Sequence, residues 1–135
     1  MSSNVRVKFI VAEDRGDQLK STNTSNNVLI NPVLVMRSPI VPTALSIALV
    51  VLTSGLSSNE NHEMELSITN VNTGEQIYKT GINQFSVPNH TDNFSFNFDL
   101  KNLLFMNEGD YHIQMNIDGV THEDVFTLVA NKVLG

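Results

Sequence analysis

Asn93-Phe94-Ser95-Phe96-Asn97-Phe98-Asp99-Leu100 is the stretch that decides the fold. Large apolar residues take every second position and polar ones fill the gaps, which is the two-residue period of a strand with one buried face. A helix of the same length would group its apolar residues three and four apart, and this stretch does not.

The same period recurs on both sides of it. Val5, Val7, Phe9 and Val11 share one face, with Arg6 and Lys8 opposite. From Thr43 to Thr53, Leu45, Ile47, Leu49 and Val51 alternate with Ala44, Ser46, Ala48 and Val50. Ala and Leu also suit a helix there, but the β-branched content and the alternation of large with small favour a strand. From His62 to Val71 the inward set is Met64, Leu66 and Ile68, with Glu63, Glu65 and Ser67 outward. Val28 to Met36 reads as a strand in which Pro32, unable to donate to a ladder, implies an edge or a bulge. Pro39 and Pro42 bracket a bend.

Turn signals separate these runs. Asn72-Thr73-Gly74 reads as a hairpin loop returning through Gln76 to Lys79, and Asp118-Gly119 is a dipeptide preferred in type I′ turns. Between them Ile113, Met115 and Ile117 form a strand that Val120 to Val129 answers. Gly109-x-Tyr111 fits a tyrosine corner, in which a Tyr at the start of a strand bonds back to upstream backbone. The pattern predicts an all-β, antiparallel sandwich of immunoglobulin-like or C2-like type with about seven or eight strands. One domain is expected over residues 1–135.

Composition narrows the function classes. Charged residues make up 16% of the chain, below the roughly 25% of an ordinary soluble domain, so much of the polar surface is uncharged. Seventeen Asn contribute to it, a usage that fits an AT-rich genome and so a low-GC bacterium or its phage. The net charge is −6, from 8 basic and 14 acidic residues. With so few scattered cations to neutralise phosphates, nucleic-acid binding is not expected. The apolar run Ile40 to Leu52 is too short to cross a bilayer, and the first residues lack the layout of a signal peptide. A cytoplasmic protein, free in the host cell or part of a virion, is therefore expected, with no membrane partner. The absence of cysteine removes thiolate chemistry and disulfides.

No catalytic template is found: there is no Gly-x-Ser-x-Gly elbow, no phosphate-cradling glycine loop and no His-Glu-x-x-His. No catalytic residue, resident metal or cofactor is expected. Binding residues are sought instead in the two longest connections. Glu13 to Asn27 offers Arg15, Asp17, Asn23 and Asn26; Gly81 to Asn93 offers Asn89 and His90. His62 and His90 flank loops and read as solvated. The alternative reading is a small metal-dependent enzyme or small-molecule-binding protein built on the last hairpin. There His122 and Asp124 fall two apart on the strand face shared by Val120, Phe126 and Leu128, with His112 and Glu123 nearby. A zinc site needs three or four ligands, and the third is not evident.

From Pro32 onward the chain resembles a family of small uncharacterised bacterial and phage proteins with a sandwich fold. The features that carry the resemblance are Pro39-x-x-Pro42 before Leu45 to Leu52, His62-x-Met64-x-Leu66-x-Ile68 with its Asn-Thr-Gly turn, and Gly109-x-Tyr111 leading to Asp118-Gly119. It covers about the last hundred residues and implies no functional residues. The expected function is a non-catalytic protein-binding or assembly module, acting on a protein partner, on further copies of itself, or both. A virion or assembly component and an inhibitor of a host defence protein are its two forms.

Overall fold

The computed structural model describes residues 5–13 and 33–134, and in these every regular element is a strand. They are β1 (Arg6–Glu13), β2 (Val35–Val41), β3 (Thr43–Ser54), β4 (Asn61–Asn70), β5 (Gln76–Lys79), β6 (Asn83–Ser86), β7 (Asn93–Phe105), β8 (Gly109–Ile117) and β9 (Val120–Val133). The chain is thus all-β. Two sheets face each other: three strands in the order β1-β3-β7, and six built on β2-β9-β8-β4-β5 with β6 also paired to β4.

Alternation builds the core between them. Ile47, Leu49 and Val51 of β3 lie opposite Leu100, Phe98 and Phe96 of β7, so these residues face inward together. Across the interior, Leu66 pairs with Met115, and Ile68 with Ile113. All four are sealed from solvent. At one end of the core the Phe105 ring from the small sheet meets Tyr111 of the large sheet edge-on at 5.1 Å. Tyr111 in turn stacks on Phe126 at 5.6 Å. The Tyr111 hydroxyl donates to the Asn107 carbonyl four residues upstream, so the expected corner is present. Burial pushes that phenol up, more than its contacts with Asn70 and the Asn107 carbonyl pull it down.

Several details depart from the reading of the sequence. Nine strands are found among the described residues, because Asn83–Ser86 in the supposed connection pairs with Asn61 to Met64. β5 and β6 therefore sit end to end along one side of β4. The bend at Pro39 is absent. β2 runs through it, and the ladder steps from Ser38 opposite Ala130 to Ile40 opposite Lys132 without using Pro39. An edge strand tolerates this because one of its sides makes no ladder, and β2 is an edge among the described residues. Its pairing with β9 is parallel, whereas the other strand pairs among the described residues are antiparallel. Parallel pairing follows from the route: β2 does not return through a hairpin but continues past Pro42 into β3 of the other sheet. The expected strand around Pro32 falls outside the described residues before Val33.

β7 is longer than its aromatic half. The β3–β7 register shifts between Leu45 and Ile47, where Leu103 and Leu100 are the successive partners. Asn102 sits in this bulge at φ 54°, and its amide donates to Ser46 Oγ at 3.0 Å. The bulge absorbs the extra residue, so Leu103 and Phe105 still reach the core.

Candidate binding surface

The loops at one end of the sandwich meet at a buried histidine. His62 has the inward parity of Met64 on β4 and is 5% exposed, so it is not a solvated loop residue. Both ring nitrogens face oxygen acceptors: Nδ1 lies 2.6 Å from Asp118 Oδ2, and Nε2 lies 2.7 Å from the Ser57 carbonyl. Two acceptors suit an imidazolium, which donates from both nitrogens. Burial alone pushes this histidine down, but the Ser57 carbonyl, the Asp118 carboxylate and the charge of Glu60 outweigh it and hold His62 above 6.5. Asp118 Oδ1 also accepts the Glu63 amide at 2.8 Å. One carboxylate in the β8–β9 turn thus ties that turn to β4 and, through His62, to the loop after β3.

The turn itself has the expected geometry, with Asp118 at φ 52° and Gly119 at φ 87°, both left-handed as a type I′ turn requires. The His62 ring stacks on Phe85 of β6 at 5.2 Å. Phe85 then stacks on Phe94 at 5.5 Å and meets Phe96 edge-on at 4.9 Å. The clamp is structural: its ring nitrogens are engaged and neither is presented to a ligand.

The proposed loop residues fall into two groups. Asn89 and His90 form an exposed turn at this same end; Asn89 Oδ1 accepts from Asn59 Nδ2 at 2.7 Å, and His90 adopts φ 61°. Arg15, Asp17, Asn23 and Asn26 lie outside the described residues.

The last hairpin separates the metal candidates. Pairing of Met115 with His122 and of Ile113 with Asp124 puts both polar residues on the inward face, as alternation implies. His112 pairs with Val125 and Gln114 with Glu123 on the outward face, where His112 Nδ1 lies 3.8 Å from Glu123 Oε1. The sheet therefore stands between the two sets, and no group of three ligands gathers among the described residues. His122 is half-buried, its Nε2 without a hydrogen-bond partner among the described residues, and burial pushes it down from its ordinary value. Asp124 stays exposed.

Beyond the edge or bulge expected at Pro32, sequence reading missed the open sides of β9 and β7. β2 pairs with β9 from Thr127 to Val133 only. Among the described residues, Val120 to Val125 therefore make a ladder with β8 alone. Leu34, Val35, Val120 and Val125, all exposed, lie along this strand edge and its end. In the small sheet, β7 pairs with β3 and, among the described residues, makes no second ladder, although β5 of the large sheet approaches it. An open ladder side of this kind is a template for another strand.

Fold and surface together define a small β-sandwich with exposed strand edges. Residues 17–128 match DUF6941, a family of unknown function, and the chain belongs to that family. No curated protein matches it. Among solved structures the chain is similar to β-glucosidase from Listeria innocua in complex with gluconolactone, with a TM-score of 0.50 and 7% identity over 98% of this chain and 17% of that one. For the same enzyme in complex with glucose the TM-score is 0.46 and the identity 6%, with the same coverage. The chain spans 17% of the length of these enzymes, and likeness at such identity speaks for the fold alone.

Proposed function

We propose that this chain is a non-catalytic protein-binding or assembly module of a low-GC bacterium or its phage, working by strand addition. The carrying observation is the first half of β9, from Val120 to Val125, which β2 leaves unpaired. An extended segment of a partner laid there gains main-chain hydrogen bonds, and side chains from its two faces meet the exposed Val120 on one side of the sheet and Val125 on the other. The dispersal of His112, His122 and Asp124 over two faces supports binding rather than metal chemistry. A virion component and an inhibitor of a host defence protein both fit this mode.

Affinity capture from extract of the native host, with mass spectrometry, is the test. The natural chain should retain a defined protein, and the Val120→Lys/Val125→Lys variant should lose it. Both positions are exposed, so the variant should keep its β-type circular dichroism. Capture of the same protein by both chains would end the β9 reading.

A further inference from the structure

We infer that the open edge of β7 is where two copies of this chain pair, antiparallel, with Phe96 on the two-fold axis. This extends the binding reading to a second edge, in the other sheet, and commits its occupant to a second copy.

The segment Asn93 to Leu100 carries the pairing. Rotation about Phe96 brings Phe94 opposite Phe98 of the other copy, Phe96 opposite itself and Ser95 opposite Asn97. Asp99 then faces Asn93. Aromatics meet aromatics on the inner face, small polar groups meet on the outer face, and no like charges oppose each other. Cross-strand aromatic pairs are among those that stabilise antiparallel ladders. The segment is self-complementary, as an isologous contact demands.

Charge agrees with this. Within 93–101 the ionisable residues are Asp99 and Lys101, which lie 3.3 Å apart on the same strand. Natural edges are commonly blunted by unpaired lysine or by proline, and neither interrupts Asn93 to Leu100. Burial agrees too. Phe94, Phe96 and Phe98 have inward parity but remain partly exposed, whereas their β3 partners Thr53 and Val51 and Leu49 are buried. Phe85 of β6 covers part of Phe94 and Phe96, and a strand placed beside β7 would cover what those rings still expose. The bulge at Asn102 bends the strand beyond Leu100, which limits the flat edge to the self-complementary segment. Pairing consumes that edge in both copies, so the assembly closes at two. It also turns two three-stranded sheets into one of six.

Sedimentation velocity over a concentration series tests the inference. The natural chain should show a reversible monomer–dimer equilibrium. Ser95→Lys/Asn97→Lys, at two exposed positions, sets lysine opposite lysine twice across the seam and should weaken the dimer by about tenfold or more. Mixing it with Ser95→Glu/Asn97→Glu should restore a heterodimer, which excludes simple unfolding as the cause. The chain has no cysteine, so the axis is read directly: Ser95→Cys mixed with Asn97→Cys should cross-link to each other in preference to themselves. A natural chain that stays monomeric at several hundred micromolar, or Lys and Glu variants that do not recombine, would overturn the pairing. Preferential self-cross-linking of Asn97→Cys would overturn the axis. None of these results touches the partner captured at β9, and loss of that partner leaves the dimer standing, so the two readings fail separately.

Discussion

At His62 a single residue carries a pH dependence whose sign can be worked out. Its pKa in the folded chain is raised above 6.5, so folding favours the imidazolium. The resulting stabilisation is complete below the unfolded value and fades as pH rises through the folded one. His122 opposes this, because burial lowers its folded value and its contribution is lost as pH falls. The two are separated by substitution. The melting temperature of the natural chain should exceed that of His62→Gln most at pH 5.5, and the gap should shrink above pH 7. A gap of equal size at pH 5.5 and 8.5 would show that His62 is not held charged. Only half of this clamp is legible in the sequence. The inward parity of His62 follows from Met64 and Leu66 beside it, but its partner Asp118 stands 56 positions away, and no local pattern announces such a meeting.

At the level of elements, β3 is the informative case, because its composition suits helix and strand alike. Leu45, Leu49 and Leu52 would share one face of a helix, at spacings of four and three. In a strand Leu52 turns away from the other two. The structure has Leu49 fully buried and Leu52 38% exposed, so the strand parity prevails. Leu49→Ala should therefore cost about 2–5 kcal/mol, while Leu52→Ala should stay within about 0.5 kcal/mol. Urea denaturation of the two variants checks this, and equal losses would contradict the assigned faces. The same parity made β1, β4, β7 and β8 readable in advance, since each buries one face. The failures share another cause. β6 has four residues, too few for a period to show, and it is ordered by its ladder to β4. β2 passes through Pro39 because, among the described residues, nothing pairs on its outer side. That β9, itself read as a strand, is the parallel partner of β2 was not legible, since pairing between strands some ninety residues apart is set by the packing of the sheets. For the same reason the open sides of β7 and β9 were invisible: an edge is defined by the strand that is missing beside it.

At the scale of the whole molecule, net charge and edge chemistry pull in different directions. Each chain carries −6, so two copies repel at long range, and added salt screens that repulsion over a Debye length that falls from roughly 10 Å at 0.1 M to 3 Å at 1 M. The contact at β7 is made by Phe94, Phe96, Phe98 and small polar residues, with Asp99 already beside Lys101, so it contains no intermolecular ion pair for salt to weaken. Raising sodium chloride from 50 to 500 mM should therefore leave the dimer as tight or tighten it, by less than about fivefold for a screened surface effect. Sedimentation equilibrium at the two salt concentrations measures the change. A dimer that dissociates in high salt would be held by charges outside this segment, and the aromatic seam would lose its place as the source of the affinity.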